Sequence, residues 1–187
     1  MIKVIGEINA NTLSQFFDRA EYYPEDGVMI SSPGGDIGYT LAMLDDIDEF
    51  KRPTRATGVC QSAAAVLATA GEGHRVCTMD ALFRFIPPEP EDMKDPETGI
   101  ISKKIPDLRW YLHTVLVARL AQRLKRDKVE VYELFDGEFI SSTRAKELGL
   151  IDEVISTGAL NGHLSGISGR ETEVTWRDEL GRYDGID

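Results

Sequence analysis

The chain's 187 residues predict an α/β protein, a mostly parallel sheet flanked by helices. Short β-branched and apolar runs alternate at close intervals with stretches whose apolar residues recur at helical spacing, the pattern of parallel strands covered by helices. The length suits one compact domain that buries roughly two-thirds of its unfolded surface. Hydrophobic residues make up 42% and charged residues 28% of the composition, the balance of a globular chain rather than a disordered one.

The opening IKVIGEI reads as a strand. Asn11 or Thr12 then caps a helix that presents Leu13, Phe16, Phe17 and Ala20 on one face, and the segment from Pro24 to Gly27 stops it. Val28, Met29 and Ile30 form a buried run that enters the turn SSPGG, after which Ile37, Leu41, Leu44 and Ile47 trace a second helix. Residues 54–59 are a third strand, the small-residue run 62–70 a tightly packed helix stopped at Gly71, and 75–79 and 81–86 two further strands. Residues 87–106 are a polar, proline-rich excursion, read as an active-site or interface loop. From Asp107 a long helix carries Leu108, Leu112, Leu116, Leu120 and Leu124 in one i+4 row. A short helix ending at Gly149 and a strand over 150–155 close the domain, expected to span 1–155; residues 156–187 read as a Gly/Ser linker and an acidic tail.

Composition excludes several function classes. A net charge of −11 argues against nucleic-acid binding, which depends on clustered lysine and arginine. Cys60 and Cys77 lack the number or spacing for a disulfide framework or a zinc site and are expected to pack as buried apolar groups; no metal or cofactor is called for. No run approaches the roughly 20 apolar residues of a membrane helix and MIKVIGEINA lacks a signal pattern, so no membrane partner is expected and the cytoplasm is the default location.

Two motifs carry chemistry. In SSPGG, a Pro-Gly-Gly turn between strand and helix bares backbone N–H groups at a positive helix end, a place to stabilise an anion or simply a turn. In Gly58–Ala64, Ser62 opens a packed helix directly after a strand, as a nucleophile or as a cap. One crossover unit between them would bring the glycine turn beside Ser62. The ordered set SSPGG, GVCQSAAAVLATAG, HRVCTMDALFRFIPP and FISSTRAKELGLIDEVI resembles the proteolytic subunit of the Clp protease and its serine-peptidase clan, over roughly residues 4–155.

The resemblance implies a Clp protease/crotonase-like superhelix of repeated ββα units, with Ser62 as nucleophile and the backbone N–H groups of Gly35 and Ala63 as oxyanion hole. Gly34 and Arg84 are expected to contact substrate, a peptide or protein. The family's histidine falls at Ile86 and its aspartate at Gly137, with Asp136 one residue too early. His74, His113 and His163 do not fall where a base is expected and read as ordinary surface or packed histidines. Related Ser–Lys enzymes of the signal-peptide peptidase A type suggest Lys103 or Lys104 as base. The leucine-rich helix over 107–126 matches the one that interlocks stacked rings in the family, so a homo-oligomeric ring is expected; because the match begins near Met1, partnership with an AAA+ unfoldase is not. The leading expectation is a serine peptidase. The alternatives are an inactive pseudoprotease ring subunit, favoured by Ile86 and Gly137, and a crotonase-like acyl-CoA enzyme.

Overall fold

The computed structural model describes residues 1–89, 91–94, 101–104 and 107–156, with backbone alone for 91–94 and 101–104. Its centre is a seven-stranded sheet. β1 (Ile2–Ile5), β2 (Val28–Ser32), β3 (Thr54–Gln61), β4 (Arg75–Thr78) and β9 (Glu153–Ile155) lie side by side, every pair parallel. β5 (Leu82–Arg84) pairs in parallel with the far end of β3 and antiparallel with β8 (Phe139–Ser141). β3 therefore serves two neighbours in succession, β4 through Thr54–Ala56 and β5 through Val59–Gln61. The switch falls at Gly58, whose φ of +59° no β-branched residue would tolerate cheaply.

The alternation of strand and helix predicted from sequence is the one observed, with informative departures. α1 (Ala10–Tyr22) starts two residues earlier than expected, because the Asn9 side chain accepts the Asn11 and Thr12 amides, and Phe17 stays 39% exposed while Phe16 and Ala20 are buried. α2 (Ile37–Glu49) is capped by Asp36, which accepts the Tyr39 amide. α3 (Ala63–Ala70) is buried on every side, as expected of a helix with no polar face. Its alanines let it lie close on the sheet, where Thr54 Oγ1 donates to the Ala68 carbonyl at 3.0 Å.

The excursion over 87–106 is not simply a loop: β6 (Glu91–Lys94) and β7 (Ile101–Lys104) form an antiparallel pair. In α4 (Asp107–Leu124) the five-leucine row does not share one buried face. An i+4 row turns about 40° per step on a helix of 3.6 residues per turn, so Leu116 and Leu120 are buried while Leu108 is 69% exposed. α5 (Lys128–Tyr132) and β8 were not anticipated, and α6 (Ser142–Glu147) is the short helix before Gly149. Of the predicted linker and tail, 156–187, residues 157–187 lie outside the described residues.

One polar group is central to the packing. The Arg52 side chain is 1% exposed; its Nε donates to Asp46 Oδ1 at 2.5 Å and its Nη1 reaches the carbonyl oxygens of Pro24 at 2.5 Å, Tyr23 at 3.3 Å and Asp26 at 3.3 Å. A planar guanidinium fits such a divergent set of acceptors. It ties the end of α2 to the turn between α1 and β2. Among the described residues no helix is long and apolar enough to cross a membrane.

Candidate active site

Ser62 stands at the junction of β3 and α3 with φ +50° and ψ −126°, a conformation L-residues avoid. Its amide donates to the Arg84 carbonyl at 2.7 Å, so β5 helps hold the bend. Its side chain caps nothing, and the hydroxyl has no hydrogen-bond partner among the described residues. Such a strand-to-helix elbow pushes a serine oxygen outward at a cost of about 1–3 kcal/mol. We expect Ser62→Gly to relieve that strain and raise the melting temperature by a few degrees, on the scale of about 2–4 °C per kcal/mol for a chain of this size. Ser62→Ala keeps the strain and should melt within about 1 °C of wild type. Scanning calorimetry distinguishes the two, and equal melting of Ser62→Gly and Ser62→Ala would argue against a strained elbow.

The glycine turn lies against this serine. A methyl group built on Gly34, at φ +97°, would sit 2.8 Å from the Gln61 carbonyl oxygen and 2.9 Å from Ser62 Cβ. The turn is fixed by Gly34 N–H donating to Ser32 Oγ at 3.0 Å, Ile8 N–H donating to the Gly34 carbonyl at 2.8 Å and Asp36 N–H donating to the Ile8 carbonyl at 2.9 Å. Between these, the Gly35 N–H has no acceptor among the described residues. The Ala63 N–H, first donor of an uncapped helix, is in the same position. Gly35, Ser62 and Ala63 line one pocket of about 800 Å3. Its walls include Val66, Leu112, Leu116 and Phe135, and Glu7, Asp36 and Glu89 also line it.

The other predicted site residues are placed as follows. Ile86 lines the pocket, putting hydrocarbon where the resemblance puts a histidine. Gly137, at φ +81°, donates its amide to the Phe85 carbonyl at 3.1 Å and accepts Arg84 Nε at 2.5 Å. The Arg84 guanidinium also lies over the Phe139 ring, 5.1 Å from its centroid, and Arg84 is not among the residues lining the pocket. Asp136 accepts the Glu138 amide at 2.8 Å in a local turn. Lys103 and Lys104 pair with Asp92 and Glu91 across the β6–β7 hairpin, and their side chains are outside the described part. The start of the excursion carrying them borders the pocket at Pro87–Glu89, as does Leu108 in the first turn of α4.

His74 lies 3.7 Å from Asp152 and 3.5 Å from Glu153, on the far side of β4, and His163 lies outside the described residues. His113 is buried, as a packed histidine should be, yet it also lines the pocket, which the sequence reading missed. Its spacing of three and seven from Leu116 and Leu120 was the available signal. Burial lowers its pKa below the ordinary imidazole value, so it is neutral at pH 7. Cys60 and Cys77 are buried, and burial pushes their thiols up to about 12 and about 11, which leaves them unreactive packing groups. Among the described residues, no cluster of histidine, cysteine and carboxylate side chains is placed to hold a metal ion.

This arrangement offers an outward hydroxyl, two unpaired backbone donors and an apolar recess, the parts needed to bind an acyl group and its developing oxyanion. The Clp protease family model matches residues 24–158. The ATP-dependent Clp protease proteolytic subunit 2 of Frankia casuarinae is 29% identical over 163 residues, covering 82% of this chain and 72% of that protein. Among solved structures, the ClpP protease catalytic domain from Plasmodium falciparum matches with a TM-score of 0.67 at 24% identity, across 83% of this chain and 84% of that one. That last likeness concerns the fold, and it agrees with the α/β architecture described above.

Proposed function

This chain belongs to the Clp protease family, and on that footing we propose that it hydrolyses peptide bonds through Ser62. The supporting observation is the elbow itself: a serine at φ +50°, pressed against the glycine turn, bordering a pocket that Gly35 and Ala63 also line. Ser62 Oγ attacks the scissile carbonyl carbon and passes its proton to a base. The oxyanion is stabilised by the Gly35 and Ala63 amides, with Gly34 shaping the turn. The C–N bond breaks as the amine takes the proton, and water then hydrolyses the acyl-enzyme. Lys103 or Lys104 is the base in this reading, since their hairpin is rooted at the pocket's border. A lysine serves once desolvation holds it neutral. Arg84, spent on Gly137 and Phe139, is left out of substrate binding.

We further propose that the chain acts in a homo-oligomeric ring. Leu108, Tyr111 and Val129 are 69%, 64% and 72% exposed on and beside α4, apolar surface that assembly would cover. Residues 1–155 would be the ring-forming domain.

A fluorophosphonate probe tests the function. Labelling of wild type that disappears in Ser62→Ala, together with peptide hydrolysis that falls to background in the same variant, is the expected result. Equal labelling of both proteins removes Ser62 as nucleophile. A second reading, a catalytically silent ring subunit, is favoured by Ile86 in the pocket and Gly137 bound to Arg84. Wild type that neither labels nor hydrolyses peptides would establish it.

A further inference from the structure

β3 carries a cation that the fold leaves without a partner. Thr54 and Ala56 face α3: both are wholly buried, and Thr54 Oγ1 donates to the Ala68 carbonyl. Successive side chains of a strand point to opposite sides, so Arg55 projects from the other face of the sheet. It is 4% exposed, and its Nε is closed to water without a hydrogen-bond partner. Nη1 and Nη2 bond to nothing among the described residues either, yet they are not among the atoms closed to water, so an acceptor can approach them. Register puts Met29 of β2 and Val76 of β4 beside Arg55, with Lys3 of β1 beyond Met29. Lys3 is exposed and has no ion-pair partner among the described residues. On the other side Glu153 of β9 lies beyond Val76, 3.5 Å from His74. The row thus holds two cations, roughly 10 Å apart across Met29, and no carboxylate bonded to either among the described residues. A guanidinium withdrawn from water in this way is costly until an anion pairs with it.

We propose that the acidic carboxy-terminal segment of this chain, residues 171–187, docks on this face of the sheet and places a carboxylate on Arg55. β9 ends at Ile155 in the same sheet. Arg55 stands two strands across and two residues back from that end, roughly 10 Å by 7 Å, a span that a handful of extended residues covers. Residues 157–170 contain no acidic residue and serve as the spacer. Beyond them come Glu171, Glu173, Asp178, Glu179, Asp184 and Asp187, outnumbering Arg177 and Arg182 and complementing the charge of Lys3 and Arg55. Val174, Trp176 and Leu180 are interleaved with these acids, apolar groups suited to Met29 and to Ile5, which is 57% exposed on the same face. Tethering supplies the carboxylates at an effective concentration of about millimolar, an advantage over any free anion. The inference does not depend on the chemistry at Ser62.

Hydrogen exchange of the full chain, read by mass spectrometry, tests the docking. Amides of residues 171–187 should exchange about tenfold more slowly in wild type than in Arg55→Glu, while α3, on the opposite face of the sheet, exchanges alike in both. Equal exchange of 171–187 in the two proteins would overturn the proposal. So would protection of that segment that grows with protein concentration, since a second copy, rather than the chain's own end, would then be the occupant. Should Arg55→Glu lose its fold, Arg55→Met and a variant with the six tail carboxylates changed to amides give a double-mutant cycle in urea. Arg55→Met strips an unpaired buried charge from the amide-tailed protein and a paired one from wild type. It should therefore raise the urea midpoint more in the amide-tailed protein. A shift that is equal in the two backgrounds, or more favourable in wild type, would mean that the tail and Arg55 do not meet.

Discussion

Gly35→Ala is expected to remove the candidate oxyanion site and a large share of the fold's stability together. A Cβ at Gly35 would collide with the Ile8 carbonyl oxygen and lie 2.8 Å from the Ile8 nitrogen. Both are backbone atoms already fixed by hydrogen bonds to Gly34 and Asp36, so neither can yield cheaply. Overpacking costs about 1–3 kcal/mol, and holding alanine at a φ of +146° costs about 1–3 kcal/mol more. The total of about 2–6 kcal/mol corresponds to a fall in melting temperature of roughly 4–24 °C. Gly6→Ala is the control. Gly6 also has positive φ, +79°, but a methyl there meets nothing within 4 Å, so it should show the backbone cost alone. Calorimetry in which the two variants melt together would refute the steric part of the account. Loss of fluorophosphonate labelling is expected only for Gly35→Ala.

Arg52→Met is expected to cost about 3–5 kcal/mol, the range for breaking a buried ion pair from one side. Removing the guanidinium leaves the nearly buried Asp46 carboxylate without its partner and takes a donor from the carbonyl oxygens of Pro24 and Asp26, while the Tyr23 carbonyl keeps the Asp26 amide. Arg52→Lys should recover only part of the loss, because a single ammonium cannot span acceptors arranged around a flat fork. Pairing Arg52→Met with Asp46→Leu should recover more, since the second change deletes the stranded charge. Urea midpoints at pH 7 measure all three. A loss below about 1 kcal/mol for Arg52→Met would show that the pair is solvated and its contacts expendable.

The central repeats were legible because each has a local signature. Val28–Ile30, the turn at Gly34 and Gly35, the stripe Ile37, Leu41, Leu44 and Ile47, and the alanine-rich α3 all follow from nearest-neighbour spacing. Ser62 and its glycine turn were legible for the same reason, as two motifs separated by one helix and one strand. β8 was not, since three residues with Phe139 52% exposed carry no alternation and form a strand only by pairing with the distant β5. α5 buries Val131 alone, too little for a periodic signal. His113 was read as a surface or packed histidine; its spacing from Leu116 and Leu120 puts it on the buried side of α4, while its place in the pocket depends further on α4 lying against α3. The resemblance puts the family's histidine at Ile86 and its aspartate at Gly137, and the bond that Arg84 makes to the Gly137 carbonyl could be seen only in three dimensions.

The handover of β3 from one neighbour to the next has a mechanical consequence. The elbow that carries Ser62 hangs on the half of the strand that pairs with β5, beyond the switch at Gly58, where the register pair Ser32–Cys60 still joins it to β2. What happens to the segment 136–138 reaches it through two links, the Arg84–Gly137 bond and the β5 carbonyl that receives the Ser62 amide. A substitution in that segment is therefore expected to be felt at the Ser62 hydroxyl through β5, without passing through β1, β4 or β9.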